Sequence, residues 1–164
     1  MSTRLDGDTY IAGNLSAETL GIPNGTVTNV AVSASAAIAS TKLEQQHIKT
    51  YANASATTAV TEARVLHTVY GATGAIVAFE CGCVVANIGN STVVFDLLNN
   101  GVSILTATVT VDSGDAAYAI LPGTIDTPAL ADGDVLEVSI VATVGTGTLG
   151  KGAFASVILQ EDPQ

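Results

Sequence analysis

The chain has 164 residues, 48% apolar and only 12% charged, with five Lys and Arg against fifteen Asp and Glu for a formal charge of −10. This excludes a disordered chain, which is poor in apolar residues, and argues against wrapping DNA or RNA or docking on an anionic membrane, which need Lys/Arg surfaces. No run of about 18 apolar residues exists to span a membrane, Met1–Asp8 lacks the apolar core of an export signal, and the sparse charge predicts surface covered by other chains.

Organisation changes near residue 50. Residues 1–50 hold three basic and four acidic residues, net −1, and the remainder holds two basic and eleven acidic, net −9. Ile22-Pro23-Asn24-Gly25-Thr26 reads as a turn, because Pro presets φ and Asn-Gly tolerates positive φ. Val27, Val30 and Val32 mark an extended piece, followed by the small-residue run Ser33–Ala39. Thr41 and Glu44 have capping-box spacing, which predicts a short helix over 42–49. Such a segment buries too little of itself to fold alone. Residues 1–50 are therefore read as an extended N-terminal arm containing a short helix, 51–61 as a small-residue connector and 62–164 as the body.

The body reads as β-structure. Val65, His67 and Val69 alternate with Arg64, Leu66 and Thr68. After a break at Gly71–Gly74, the run Ile76–Cys81 and the run Val84–Ile88 flank Gly82, where a bulge or bend is expected. Thr92–Leu98, Asn99-Asn100-Gly101 and Val102–Val111 form the clearest hairpin, Asn-Gly being the strongest short turn signal. Val93, Phe95 and Leu97 share one face, with Val94, Asp96 and Leu98 on the other. Ala116–Leu121, Val135–Val144 and Ala153–Glu161 continue the pattern. About eight strands with Gly/Asn/Asp turns and no helical period predict an all-β, jelly-roll-like antiparallel β-sandwich. Its candidate core residues are Val94, Phe95, Leu97, Val109, Val138 and Phe154.

The chemistry-bearing residues are few. Cys81 and Cys83 share one face if their segment is a strand. A metal site would need two more ligands, and His47 and His67 are the only histidines, so buried thiols are expected. His67 reads as a half-buried strand residue. His47 reads as a surface or interface residue, where a charge switch near neutrality is an option. Asp6-Gly7-Asp8, Asp112–Asp115 and Asp132–Asp134 could hold Ca²⁺ but lack EF-hand spacing, and Asp and Gly are ordinary turn residues. Gly145 to Lys151 has phosphate-loop spacing, yet Gly152 replaces the required hydroxyl and a strand follows, so the segment reads as a hairpin loop. No enzyme activity, catalytic residue, cofactor or metal is expected.

Gly25-Thr26-Val27-Thr28-Asn29-Val30-Ala31-Val32, followed by Ala36-Ala37-Ile38-Ala39-Ser40-Thr41-Lys42-Leu43, resembles the G-T-V-T-N … I-x-x-S-K-L segments of tailed-phage structural proteins, with Thr41 as an extra residue. Asp96–Val102 and Leu136-Glu137-Val138 also look like β-rich virion proteins. The resemblance implies a virion component with no catalytic residues to carry over. It favours a capsid decoration (cement) protein, made in the host cytoplasm and bound to the outside of the capsid through its arm. Ile22, Pro23, Val27, Val30, Val32, Ile38 and Leu43 are its candidate attachment residues. The partners implied are the major capsid protein or another virion subunit, and two further copies in a homotrimer that hides apolar surface. Nucleic acid and membrane are not expected partners. A head or tail fibre module is the alternative, although no Trp, three Phe and four Tyr supply sugar stacking poorly. A free-standing carbohydrate-binding or other ligand-binding sandwich is the third reading.

Overall fold

The computed structural model describes residues 44–71 and 73–162. The described residues form ten strands: β1 Gln45–Ala52, β2 Glu62–Thr68, β3 Gly74–Val85, β4 Thr92–Asn99, β5 Val102–Ser103, β6 Val109–Val111, β7 Leu121–Gly123, β8 Ala129–Leu130, β9 Val135–Thr143 and β10 Lys151–Glu161. One antiparallel sheet runs β1-β10-β3-β7, with β8 also on β3. The other runs β2-β9-β4-β5, with β6 also on β4.

The period of two in the sequence decides what each sheet buries. Val93, Phe95 and Leu97 of β4 and Leu136, Val138 and Ile140 of β9 point inward from one sheet. Ala155, Val157 and Leu159 of β10 and Ile76, Phe79, Cys81 and Cys83 of β3 belong to the same core cluster. Burying a side chain the size of Phe95 is worth roughly 1.5–3 kcal/mol. Phe95, Leu97 and Val138 are fully buried, and Val109 is half-buried against them. Val94 and Phe154, expected in that core, lie instead half-buried on the outward faces of β4 and β10, because each alternates with fully buried neighbours.

The β4–β5 hairpin turns on Asn100 and Gly101, with φ of 51° and 79°. Two positive φ values at the centre of a two-residue loop are the type I′ geometry that matches strand twist. Asp134 anchors this turn, accepting from the Asn99 and Asn100 side-chain amides and from Ala131 N–H, each at 2.8 Å. These bonds, led by the one from Ala131, hold its carboxyl below the ordinary range.

Three local expectations are corrected. Residues 45–49, expected at the end of a helix over 42–49, lie in β1, paired along its whole length with β10 from Gln45↔Glu161 to Ala52↔Phe154. Pairing with β10 along all eight residues outweighs a capping signal worth about 1 kcal/mol. The body thus begins by Gln45, and Tyr51 and Ala52 leave the connector for β1. The bulge expected at Gly82 is absent there. Register slips between Ile158 and Leu159, leaving Val77 as the extra residue of β3, and again at Leu66 of β2. Gly82 has a different use: a Cβ there would overlap the Ala119 carbonyl oxygen and sit 2.6 Å from Phe154 Cζ. The expected strand Ala116–Leu121 is a turn as far as Ala119, closed by Ala119 N–H donating to Ala116 O at 3.1 Å, and β7 begins only at Leu121.

Candidate functional site

The long edge where β1 and β2 bring the two sheets together gathers two clusters of ionisable side chains. In β1, His47, Lys49 and Tyr51 alternate inward while Ile48, Thr50 and Ala52 face out. His67 of β2 donates from Nε2 to Glu161 Oε1 at 3.0 Å. His47 Nε2 approaches the other oxygen, Oε2, at 3.1 Å, outside hydrogen-bond alignment. The two imidazoles stack with centroids 6.4 Å apart. The bond from His67, chiefly, holds the Glu161 carboxyl below its ordinary value against the opposing cost of burial.

Further along the same edge, the Tyr51 hydroxyl donates to Glu62 Oε1 and Arg64 Nε donates to Glu62 Oε2 at 2.7 Å. Burial, then the bond to Glu62, pushes the Tyr51 phenol up to about 12. The same bond, foremost, lowers Glu62. Each cluster joins a residue of the β1–β10–β3 sheet to one of the β2–β9–β4 sheet. Inward-pointing charge on an edge strand also discourages edge-to-edge pairing.

The remaining candidates are placed apart. Cys81 and Cys83 are free thiols pointing into the core, and desolvation pushes them up to about 12 and about 11. The acidic turns spend their oxygens on backbone: Asp112 accepts from Gly114 N–H at 2.6 Å, Asp115 from Asp112 N–H at 2.9 Å and Asp132 from Gly71 N–H at 2.6 Å. Among the described residues no group of three or more His, Cys, Asp or Glu is placed to hold a metal ion. The glycine-rich loop before β10 is tied to its own fold. Gly145 N–H donates to Ser91 Oγ, Thr146 N–H to Asn90 Oδ1, and Gly150 N–H to Oδ1 of the buried Asn87, whose amide donates to Val111 O at 3.0 Å.

At the opposite edge, a groove of about 390 Å³ between β6 and β7 is lined by Thr106, Ala107, Thr108, Val109, Thr110, Pro122, Gly123 and Thr124. Hydroxyls and small apolar groups line it, with no charged or aromatic side chain among them. Ile22, Pro23, Val27, Val30, Val32, Ile38 and Leu43, with the Asp6–Asp8 turn, lie outside the described residues.

Sequence reasoning missed Glu161 as the partner of both histidines, and Tyr51 as the partner of Glu62. The alternation of His47, Lys49 and Tyr51 was a local signal for the strand, but Glu161 lies 94 residues from His67 and Tyr51 meets Glu62 across two sheets, and nothing local encodes either contact. It also missed Tyr118, an aromatic residue 71% exposed with φ of 62°.

No family model and no curated protein matches the sequence. Among solved structures, a chain of the cyanophage Pam1 capsid asymmetric unit is similar, with a TM-score of 0.53 and 12% identity over 85% of this chain and 99% of that one. At that identity the likeness is one of fold.

Proposed function

We propose that this chain is a structural protein of a phage virion, a capsid decoration (cement) protein that works by binding rather than catalysis. The observation that carries the reading is the shared fold with nearly the whole of a chain from a phage capsid asymmetric unit. The strand order supports a jelly roll, since β1, β3, β7 and β10 fall in one sheet and β2, β4, β5 and β9 in the other. In this reading the N-terminal segment attaches the protein to the capsid exterior, and the body associates as a trimer whose contacts cover low-charge surface. The groove between β6 and β7 offers no aromatic platform for a sugar, which favours decoration over a receptor-binding fibre.

Because β1 begins at Gln45, the decisive truncation removes residues 1–43 and leaves β1 in place. The truncated protein should keep the melting temperature of the full chain and lose occupancy on the particle of the encoding phage, read by electron microscopy. Wild-type occupancy would show that the body carries attachment. Absence of the full-length protein from the native particle would end the virion reading. A monomer in light scattering at micromolar concentration would remove the trimer.

A further inference from the structure

The segment Ala116–Ile120 is seated on the outward face of β3. Its seat is Gly82: the Ala119 carbonyl and the Phe154 ring meet over that glycine, where any side chain would displace them. Tyr118 N–H donates to Cys83 O at 3.0 Å, and the 116–119 turn closes at 3.1 Å, so the backbone is held at both ends. Within this frame Tyr118 occupies the left-handed region, which suits Gly or Asn and opposes an aromatic residue. Tyr118 remains 71% exposed, and Ile120 two residues on is 61% exposed. The fold therefore carries backbone strain at Tyr118 and recovers little of it as burial within its own chain. Strain of this kind at an exposed aromatic is a mark of a contact residue.

We infer that Tyr118 and Ile120 form a rigid apolar knob that inserts into a recess on a different virion subunit, one whose rim carries Lys or Arg. The inference rests on the virion reading above and adds a body contact to the arm. Charge selects the occupant. Asp112 and Asp115 stand at the start of the same loop, and residues 51–164 carry a net −9. The trimer contacts use low-charge surface elsewhere; at this loop a second copy presenting the same face would oppose Asp112 and Asp115 to each other, whereas a basic rim complements them.

The test uses full-length protein and intact particles of the encoding phage assembled without it, with binding read by co-sedimentation. Tyr118→Gly fits the left-handed backbone, so its melting temperature should equal or exceed that of the wild type. Its affinity for the particles should fall tenfold or more, with a similar direction for Ile120→Ala. Wild-type binding should weaken as NaCl is raised. Retained affinity in Tyr118→Gly overturns the knob while leaving the virion reading intact. A melting temperature that drops with binding overturns it too, since Tyr118 would then serve the fold. Failure of the wild type itself to sediment with the particles removes the virion reading and the knob together.

Discussion

Across the interior, Phe95, Leu97, Val138 and Leu159 are withdrawn from water among other apolar side chains, whereas along the β1–β2 edge the inward-facing residues are His47, Lys49 and Tyr51. The interior joins the sheets by burial, which has no direction and no dependence on pH. The edge joins them through the carboxylates Glu161 and Glu62, whose partners are fixed in direction and whose strength depends on charge. One sandwich is thus closed by two kinds of force, and they should respond to different perturbations.

The largest effect should come from the interior. Phe95→Ala should cost about 3–5 kcal/mol in urea or thermal unfolding, the range for a fully buried aromatic that leaves a cavity. A loss below about 1 kcal/mol would mean that the interior yields as easily as the edge. Gly82→Ala should come next, at about 1–3 kcal/mol, since the added methyl meets a backbone carbonyl and an aromatic ring. Its effect should be confined to the outer face: Cys81 and Cys83, buried on the inner face, should stay unreactive toward a thiol reagent. Rapid labelling of the variant would show that the two faces of β3 are not independent.

The interior was far more legible in the sequence than the edge. Val93, Phe95 and Leu97 repeat every second residue, and the face they share can be read without knowing any partner strand. Asn99-Asn100-Gly101 likewise carries its turn geometry locally, as the positive φ at Asn100 and Gly101 shows. At the edge the local signals competed. Thr41 and Glu44 have helix-capping spacing, but β1 is decided by pairing with β10, which lies more than a hundred residues away. Gly82 posed the same difficulty in another form. A glycine within a strand marks either a bulge or a close approach, and only the position of Ala119 and Phe154 chooses between them. Glu161 looked like the end of a terminal strand, and its role depends on His47 and His67, which come from two other strands.

At the edge itself, Tyr51→Phe should cost about 1 kcal/mol, because it removes one hydrogen bond to a charged acceptor while leaving the ring in place. The loss should shrink when Tyr51→Phe is made in a Glu62→Gln background, and it would stay unchanged there only if the two residues acted independently. A coupling of about 0.5–1 kcal/mol is expected. A coupling near zero would reduce this cluster to an exposed contact with no part in closing the sandwich.

The smallest effect separates the two forces most cleanly because it is read in the shape of a pH profile. Glu161 and Glu62 both titrate below their ordinary value of 4.5 in the folded protein. A carboxyl depressed by folding contributes stability in full above the unfolded pKa, and that contribution is lost as pH falls through the folded pKa. Wild-type stability should therefore decline below about pH 4.5. Glu161→Gln should lower the neutral plateau by about 1 kcal/mol or less and flatten the acid decline, and adding Glu62→Gln should flatten it further. Some decline should persist from Asp134, which is also depressed, through bonds in its own turn. Phe95→Ala should instead move the whole profile down without changing its slope, because no proton is bound or released at that site. If Glu161→Gln and Phe95→Ala produced profiles of the same shape, the carboxylate edge would contribute nothing that burial does not.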